Sequence, residues 1–289
     1  MPTLHDQLTS TGDVIAGAIT GVLSRFCIAP LDVVKIKLQV PYGVTKTYAY
    51  KSTFTLMKDI YLKEGFTYLW NGNLAAEYLW CVYSAVQFTT VNYFKKLQLF
   101  HSSSYNTFLG GSMSALCSTL VSYPFDLART RMAAQSAHRT YNHVYKLLFS
   151  VYRESNIRGL YSGILPTLIQ ICPYSGINFT LYEYFVTHWK ISSPISGSLY
   201  GFMSGTIAKI CVYPLDTIKK HFQIRTMFKE TQDKSCLQLI KYMYIKNGLK
   251  AFYAGIIPSL LKSGISTSLC FGIYEYLYSF LVNHNLYCR

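Results

Sequence analysis

Three six-residue elements hold most of the chemistry that this sequence can perform. Pro30-Leu31-Asp32-Val33-Val34-Lys35 returns as Pro124-Phe125-Asp126-Leu127-Ala128-Arg129 and as Pro214-Leu215-Asp216-Thr217-Ile218-Lys219, about 90 residues apart each time. Each element stands at the end of an apolar run. A proline there removes a backbone hydrogen bond and bends the helix, which a membrane tolerates where neighbours re-satisfy the backbone. The acid and the cation that follow are costly at such depth, so they should face inward and pair. Two pairings are open. Asp and cation could pair at i and i+3 along one helix, or each Asp could reach the cation of the next copy and form a ring. Such a ring would close one end of a cavity with Asp32, Lys35, Asp126, Arg129, Asp216 and Lys219. Buried ion pairs gain little net stability because desolvation offsets attraction, so modest binding energy could open a gate built this way.

Helical spacing then points to a cavity wall. Arg25 precedes Asp32 by two turns, about 10 Å along the axis, and Lys209 stands in the same relation to Asp216. The second copy has Thr119 at that place, and Lys262 is the cation of the last apolar run. Read as unpaired cations on an apolar passage, Arg25, Lys209 and Lys262 form an anion site. Other apolar runs contribute Trp80, Tyr83, Gln87, Gln170 and Tyr174, with Glu77 as an intramembrane carboxylate. Such aromatic residues serve packing or an interface belt as readily as a ligand, although Tyr174 follows Pro173, which frees backbone beside it. The eight cysteines are scattered singly and behave as small hydrophobes. With no nucleophile–base pair and no ligand spacing for a metal, the expectation is no catalytic residue, no metal and no cofactor.

The elements that must position these groups follow from composition. Of 289 residues, 51% are hydrophobic and 14% charged, against about 25% charged in a soluble domain, so much of the exterior should face lipid. Six stretches of membrane-crossing length stand out: 14–31, 78–94, 101–125, 159–182, 191–208 and 251–274. Six crossings place both termini on one side. The hydrophilic segments 40–71, 134–162 and 224–254 hold about half of the 27 Lys and Arg, and the positive-inside rule puts them together on one face. Each includes a Lys-bearing amphipathic pattern, such as Thr53 to Glu64, that suits a short helix on the membrane surface. An aromatic-x-Gly element, Trp70-Asn71-Gly72, Tyr161-Ser162-Gly163 and Tyr253-Ala254-Gly255, closes each segment. The chain is therefore read as an all-α membrane protein of three pseudo-symmetric repeats, 1–100, 101–194 and 195–289, each with two transmembrane helices and a short surface helix. Gly17-xxx-Gly21, Gly111-xxx-Ala115 and Gly201-xxx-Gly205 should permit close helix approach. The start, MPTLHDQLTSTGD, does not read as a targeting peptide.

The formal charge of +14 leaves two classes open. One is a carrier of anions; the other is a membrane-anchored protein binding nucleic acid or lipid through its basic loops, with a strongly salt-dependent affinity.

The triplicated Px[DE]xx[KR] with its aromatic-x-Gly partner resembles the mitochondrial carrier family across essentially the whole chain. The resemblance implies a monomeric carrier, not an enzyme, with six helices around a central site that opens alternately to the cytosol and the matrix. It implies the inner mitochondrial membrane, long loops and surface helices on the matrix side, and termini toward the intermembrane space. The six ring charges would form the matrix gate, with a glutamine brace at Gln39 and Gln223 but Ala133 in the second copy. The second cation of the motif is Lys37, Arg131 and His221, and the family's acid-glycine pair is intact only as Glu64-Gly65. A cytosolic gate would rest on Lys95, Glu183 and Glu275, with Asn92, Val186 and Tyr278 at the other positions; at most one charged pair can form, supplemented by Tyr182, Tyr274 and Tyr278. Within the family, SRFCIAPLDVVKIKLQ, GILPTLIQICPYSGINF and AGIIPSLLKSGISTSLCF resemble the branch that carries thiamine pyrophosphate. The implied activity is import of that compound by exchange; a carrier for nucleotides or another phosphorylated cofactor is the alternative. Expected partners are a small anionic phosphorylated substrate and membrane lipids, with cardiolipin at the matrix side, and no nucleic acid. Arg25, Lys209 and Lys262 would take the phosphates and Gln170 and Tyr174 the ring, with the thiazolium near Glu77 or an aromatic face.

Overall fold

The computed structural model describes residues 10–39, 52–97, 103–135, 141–189, 194–227 and 235–283. Among them the regular elements are helical. Six are long: α1 (Ser10–Gln39), α3 (Asn73–Leu97), α4 (Ser103–Ala134), α6 (Ile164–Trp189), α7 (Pro194–Ile224) and α9 (Ile256–Asn283). Three shorter ones, α2 (Thr53–Glu64), α5 (Val144–Leu160) and α8 (Cys236–Asn247), follow α1, α4 and α7. The long helices have 25 to 32 residues, which at about 1.5 Å per residue exceeds the hydrocarbon thickness of a bilayer. Pro30, Pro124 and Pro214 lie inside α1, α4 and α7, which continue through them.

Side chains on these helices are distributed opposite to those of a soluble protein. On α1, Ile19, Val22, Leu23 and Phe26 are exposed while Thr20 and Ser24 are buried. On α4, Ser114, Ser118 and Ser122 are buried on successive turns, each hydroxyl donating to the carbonyl four residues back, and Met113, Leu120 and Val121 point outward. Water would penalise that surface, whereas acyl chains accept it, and the small hydroxyls let helices meet inside.

Each short helix packs on the end of the long helix before it. Leu56 and Ile60 of α2 join Val33 and Ile36, Leu147 and Val151 of α5 join Leu127 and Met132, and Leu239 and Met243 of α8 join Ile218 and Phe222. An ion pair adds to the first junction. Lys37 Nζ donates to both carboxylate oxygens of Glu64 at 2.7 and 2.5 Å, with its ammonium 4.6 Å from the Tyr68 ring centre.

The aromatic-x-Gly elements join one repeat to the next. Gly72, Gly163 and Gly255 have φ of 85°, 88° and 76°. A Cβ on Gly72 would sit 2.9 Å from the Arg129 carbonyl oxygen, one on Gly163 3.3 Å from that of Lys219, and one on Gly255 3.0 Å from that of Lys35. Each repeat thus presses a side-chain-free turn against the backbone of the next repeat's motif cation, and the third closes on the first. Gly163→Ala combines a left-handed conformation with a Cβ 3.0 Å from the Tyr123 hydroxyl and 3.1 Å from Phe222 Cβ. It is expected to destabilise by about 1–3 kcal/mol, measured as a lower unfolding temperature in detergent.

The glycine steps of the long helices are different from expectation. A Cβ on Gly17, Gly21, Gly111 or Gly201 would meet no atom within 4 Å, and one on Gly205 only ordinary contacts. The first four meet no described neighbour, whereas Gly110, beside the Gly111 step, has its Cβ position 3.4 Å from Phe94 Cβ of α3. Asn156 stands where the other repeats have Gly65 and Gly248 and adopts φ 53° with ψ −154°, beside φ 96° and 65° at the two glycines; that combination is essentially a glycine conformation, so this turn carries backbone strain.

Candidate functional site

The repeated acids and cations pair between repeats and not along one helix. Asp32 accepts from Arg129, Asp126 from Lys219 at 2.8 Å, and Asp216 from Lys35 at 2.7 Å. Every one of these side chains is 13–17% exposed. The result is a closed triangle of charge in which each repeat gives its acid to one neighbour and its cation to the other.

The corners of this triangle are built differently. Gln39 donates to Asp216 at 3.2 Å and to the Tyr213 hydroxyl at 3.2 Å, and that hydroxyl donates to the Ala254 carbonyl at 3.0 Å. Gln223 donates to Asp126 at 2.8 Å and to Tyr123, whose hydroxyl reaches the Ser162 carbonyl at 2.7 Å. The corner at Asp32 has Ala133 and Ala29 where the others have glutamine and tyrosine. There Lys262 of α9 donates to the second oxygen of Asp32 at 2.5 Å. Lys262, read from the sequence as unpaired, is therefore engaged: the absence of a glutamine leaves a carboxylate oxygen that a long cation can reach.

Two adjoining cavities lie against the ring, of about 380 and 360 Å³. Each is within the range of small-ligand pockets. Trp80, Tyr83, Thr119, Gln170, Tyr174 and Lys262 line the first, and Lys209 lines the second, which shares Gln170, Tyr174, Lys35 and Asp216 with it. Lys209 Nζ donates to the Ser259 carbonyl at 3.0 Å and to Ser263 Oγ at 2.7 Å. Both acceptors are neutral, so its charge is not cancelled by a direct partner. Arg25 lies with its guanidinium 4.2 Å from the Trp80 ring centre, and Trp80 meets Tyr83 edge-on at 5.6 Å. Arg25 is thus stacked on a wall residue, Trp80, but is itself outside the residues that line the two cavities. Glu77 is partly buried, and its Oε1 has no hydrogen-bond partner among the described residues. Glu77 and Gln87 lie on α3 outside the residues that line the two cavities.

Of the remaining positions, Glu183 and Glu275 are exposed and form no ion pair among the described residues. Lys95 belongs to the last turn of α3, and its side chain lies outside the described residues. Sequence reasoning passed over Lys220, a buried cation that donates to Asp126 at 3.3 Å, to Thr130 at 2.8 Å and to Gln223 at 3.0 Å. Its only signal was a second lysine directly after the motif cation. Tyr123 and Tyr213 were also missed, and their signal was an aromatic residue immediately before the repeated proline in two copies out of three.

A ring of cross-repeat ion pairs beneath polar cavities, inside helices whose apolar residues face outward, defines a membrane carrier. The family model for the mitochondrial carrier protein matches residues 6–102, 100–193 and 190–285, and the chain belongs to that family. It is 32% identical over 313 residues to the mitochondrial thiamine diphosphate carrier 1 of Zea mays, covering 92% of both chains. It is 32% identical over 287 residues to the mitochondrial thiamine pyrophosphate carrier of Macaca fascicularis, covering 91% of this chain and 89% of that one. The mitochondrial thiamine pyrophosphate carrier 1 of Coccidioides immitis (strain RS) is 32% identical over 295 residues, covering 91% and 90%.

Proposed function

We propose that this protein exchanges thiamine pyrophosphate across the inner mitochondrial membrane by alternating access. The observation that carries the reading is Lys209, a cation whose hydrogen-bond acceptors among the described residues are neutral, facing a cavity lined in part by Lys35 and Asp216 of the charge ring. The names of the relatives supply the compound. A pyrophosphate needs two or three cations, and Lys209, Lys262 and Arg25 are the groups assigned to it. Gln170 and Tyr174, common to both cavities, take the aminopyrimidine by an amide contact and an aromatic face. Trp80 and Tyr83 add further aromatic lining, with Glu77 before them and Gln87 after them on α3.

The ring of Asp32, Lys35, Asp126, Arg129, Asp216 and Lys219, braced by Gln39 and Gln223, acts as the matrix gate. Lys95, Glu183 and Glu275 leave the cytosolic gate weakly charged. The topology is six crossings, with both termini toward the intermembrane space and α2, α5 and α8 on the matrix side. Exposed Phe54, Leu62, Phe149, Leu237 and Ile245 give those three helices apolar faces suited to the membrane surface.

The test is exchange by the purified protein in liposomes. Labelled thiamine pyrophosphate should enter vesicles preloaded with the same compound, while external ATP competes poorly. Brisk ATP exchange with no movement of thiamine pyrophosphate would overturn the assignment.

A further inference from the structure

Two corners of the charge ring have a glutamine brace, one of them with the buried Lys220 beside it, and the third has no glutamine. At Asp126 and Asp216 a glutamine outside the cavity lining donates to the carboxylate and also to a tyrosine hydroxyl. At Asp32 both are replaced by alanine, and a gap of about 10 Å³ remains, lined by Ala29, Ala133, Asp32 and Arg129. That is near the lower limit for one water molecule. Asp32 is held instead from the cavity side by Lys262, whose side chain is 28% exposed against 14% for each ring cation.

From this asymmetry we infer that Lys262 replaces the missing brace and makes the Asp32–Arg129 corner the ligand-sensitive corner of the gate. The inference rests on the carrier reading above and adds a positioning role for Lys262. A phosphate in the cavity competes with Asp32 for the same ammonium, because one positive charge cannot neutralise a carboxylate and a phosphate at once. When Lys262 turns to the phosphate, Asp32 retains Arg129 alone. At the other two corners Gln39 and Gln223 donate from outside the cavity lining, and Lys220, the second cation on Asp126, has a side chain only 9% exposed and is also tied to Thr130 and Gln223. Opening therefore starts between repeats 1 and 2.

The experiment is a double-mutant cycle on the unliganded protein in detergent. Lys262→Met should lower the unfolding temperature, and Ala133→Gln, which restores the brace, should remove more than half of that fall in the double variant. Lys262→Gln, a neutral donor at the same place, should fall less than Lys262→Met, and this arm does not depend on Ala133→Gln folding. In liposomes, Ala133→Gln alone should slow maximal exchange of thiamine pyrophosphate about fivefold, the size of one added hydrogen bond, with KM within about twofold of the parent. Equal falls for Lys262→Met in both backgrounds, or a KM change with maximal rate preserved, would overturn the inference. If the parent protein exchanges no thiamine pyrophosphate, the substrate assignment fails while the unliganded cycle still decides the corner.

Discussion

Lys209→Ala is expected to lower thiamine pyrophosphate exchange by about 10- to 100-fold while the protein still inserts and folds. The magnitude is that of one charge-assisted hydrogen bond to an anion, about 1.5–3 kcal/mol. Insertion should survive because the lysine's present partners, the Ser259 carbonyl and Ser263 hydroxyl, are neutral, so its loss strands no buried charge. Ser263→Ala is the control. It removes one acceptor without touching the cation, and exchange should change by less than about fivefold. Liposome uptake at matched protein density reads both. Exchange at the parental rate in Lys209→Ala would take this residue out of the phosphate path.

The second large effect concerns stability. Asp126 accepts from Lys219, Lys220 and Gln223, whereas Asp216 accepts from Lys35 and Gln39. Asp126→Asn therefore leaves two buried ammonium groups without their carboxylate, and Asp216→Asn leaves one. Removing one partner of a buried pair costs about 3–5 kcal/mol, so the first variant should unfold at a distinctly lower temperature than the second. Equal losses would show that Lys220, although 3.3 Å from the carboxylate, leans on Thr130 and Gln223 alone. Restoring neutrality with Lys220→Met in the Asp126→Asn background should recover part of the fall.

The three-fold organisation was legible because identical chemistry recurs at a fixed period, and a buried acid and cation repeated in register have few places to go. The partner of each acid was open, since spacing i to i+3 permits an intrahelical pair as readily as one across repeats. Only the tertiary arrangement separates Asp216–Lys35 from the pairs Asp32–Lys35 and Asp216–Lys219. Departures from symmetry were harder to read. Ala133 was visible as a missing glutamine, but its consequence depends on how far Lys262 reaches from α9. That distance is set by the crossing of two helices more than two hundred residues apart in sequence. Lys220 was hidden because it falls between the two cation positions of the motif, where the other copies have Ile36 and Thr130. The glycine steps misled for a related reason: small residues every four positions permit close packing, yet at Gly17, Gly21, Gly111 and Gly201 no neighbour uses the room.

The circular order of contacts has a consequence for assembly. Lys35 meets Asp216 across 181 residues of chain and Lys262 meets Asp32 across 230, and Gly255 seats on the backbone of α1. Lys35 of the first helix must thus wait for the third repeat before its charge is neutralised, and loop closure over such lengths is entropically costly and slow. Until then Asp32 has only Arg129, and Lys35 is exposed on a half-built bundle. A newly imported chain has reason to need shelter for that interval, and a deletion near the carboxyl end should be felt first at the amino end.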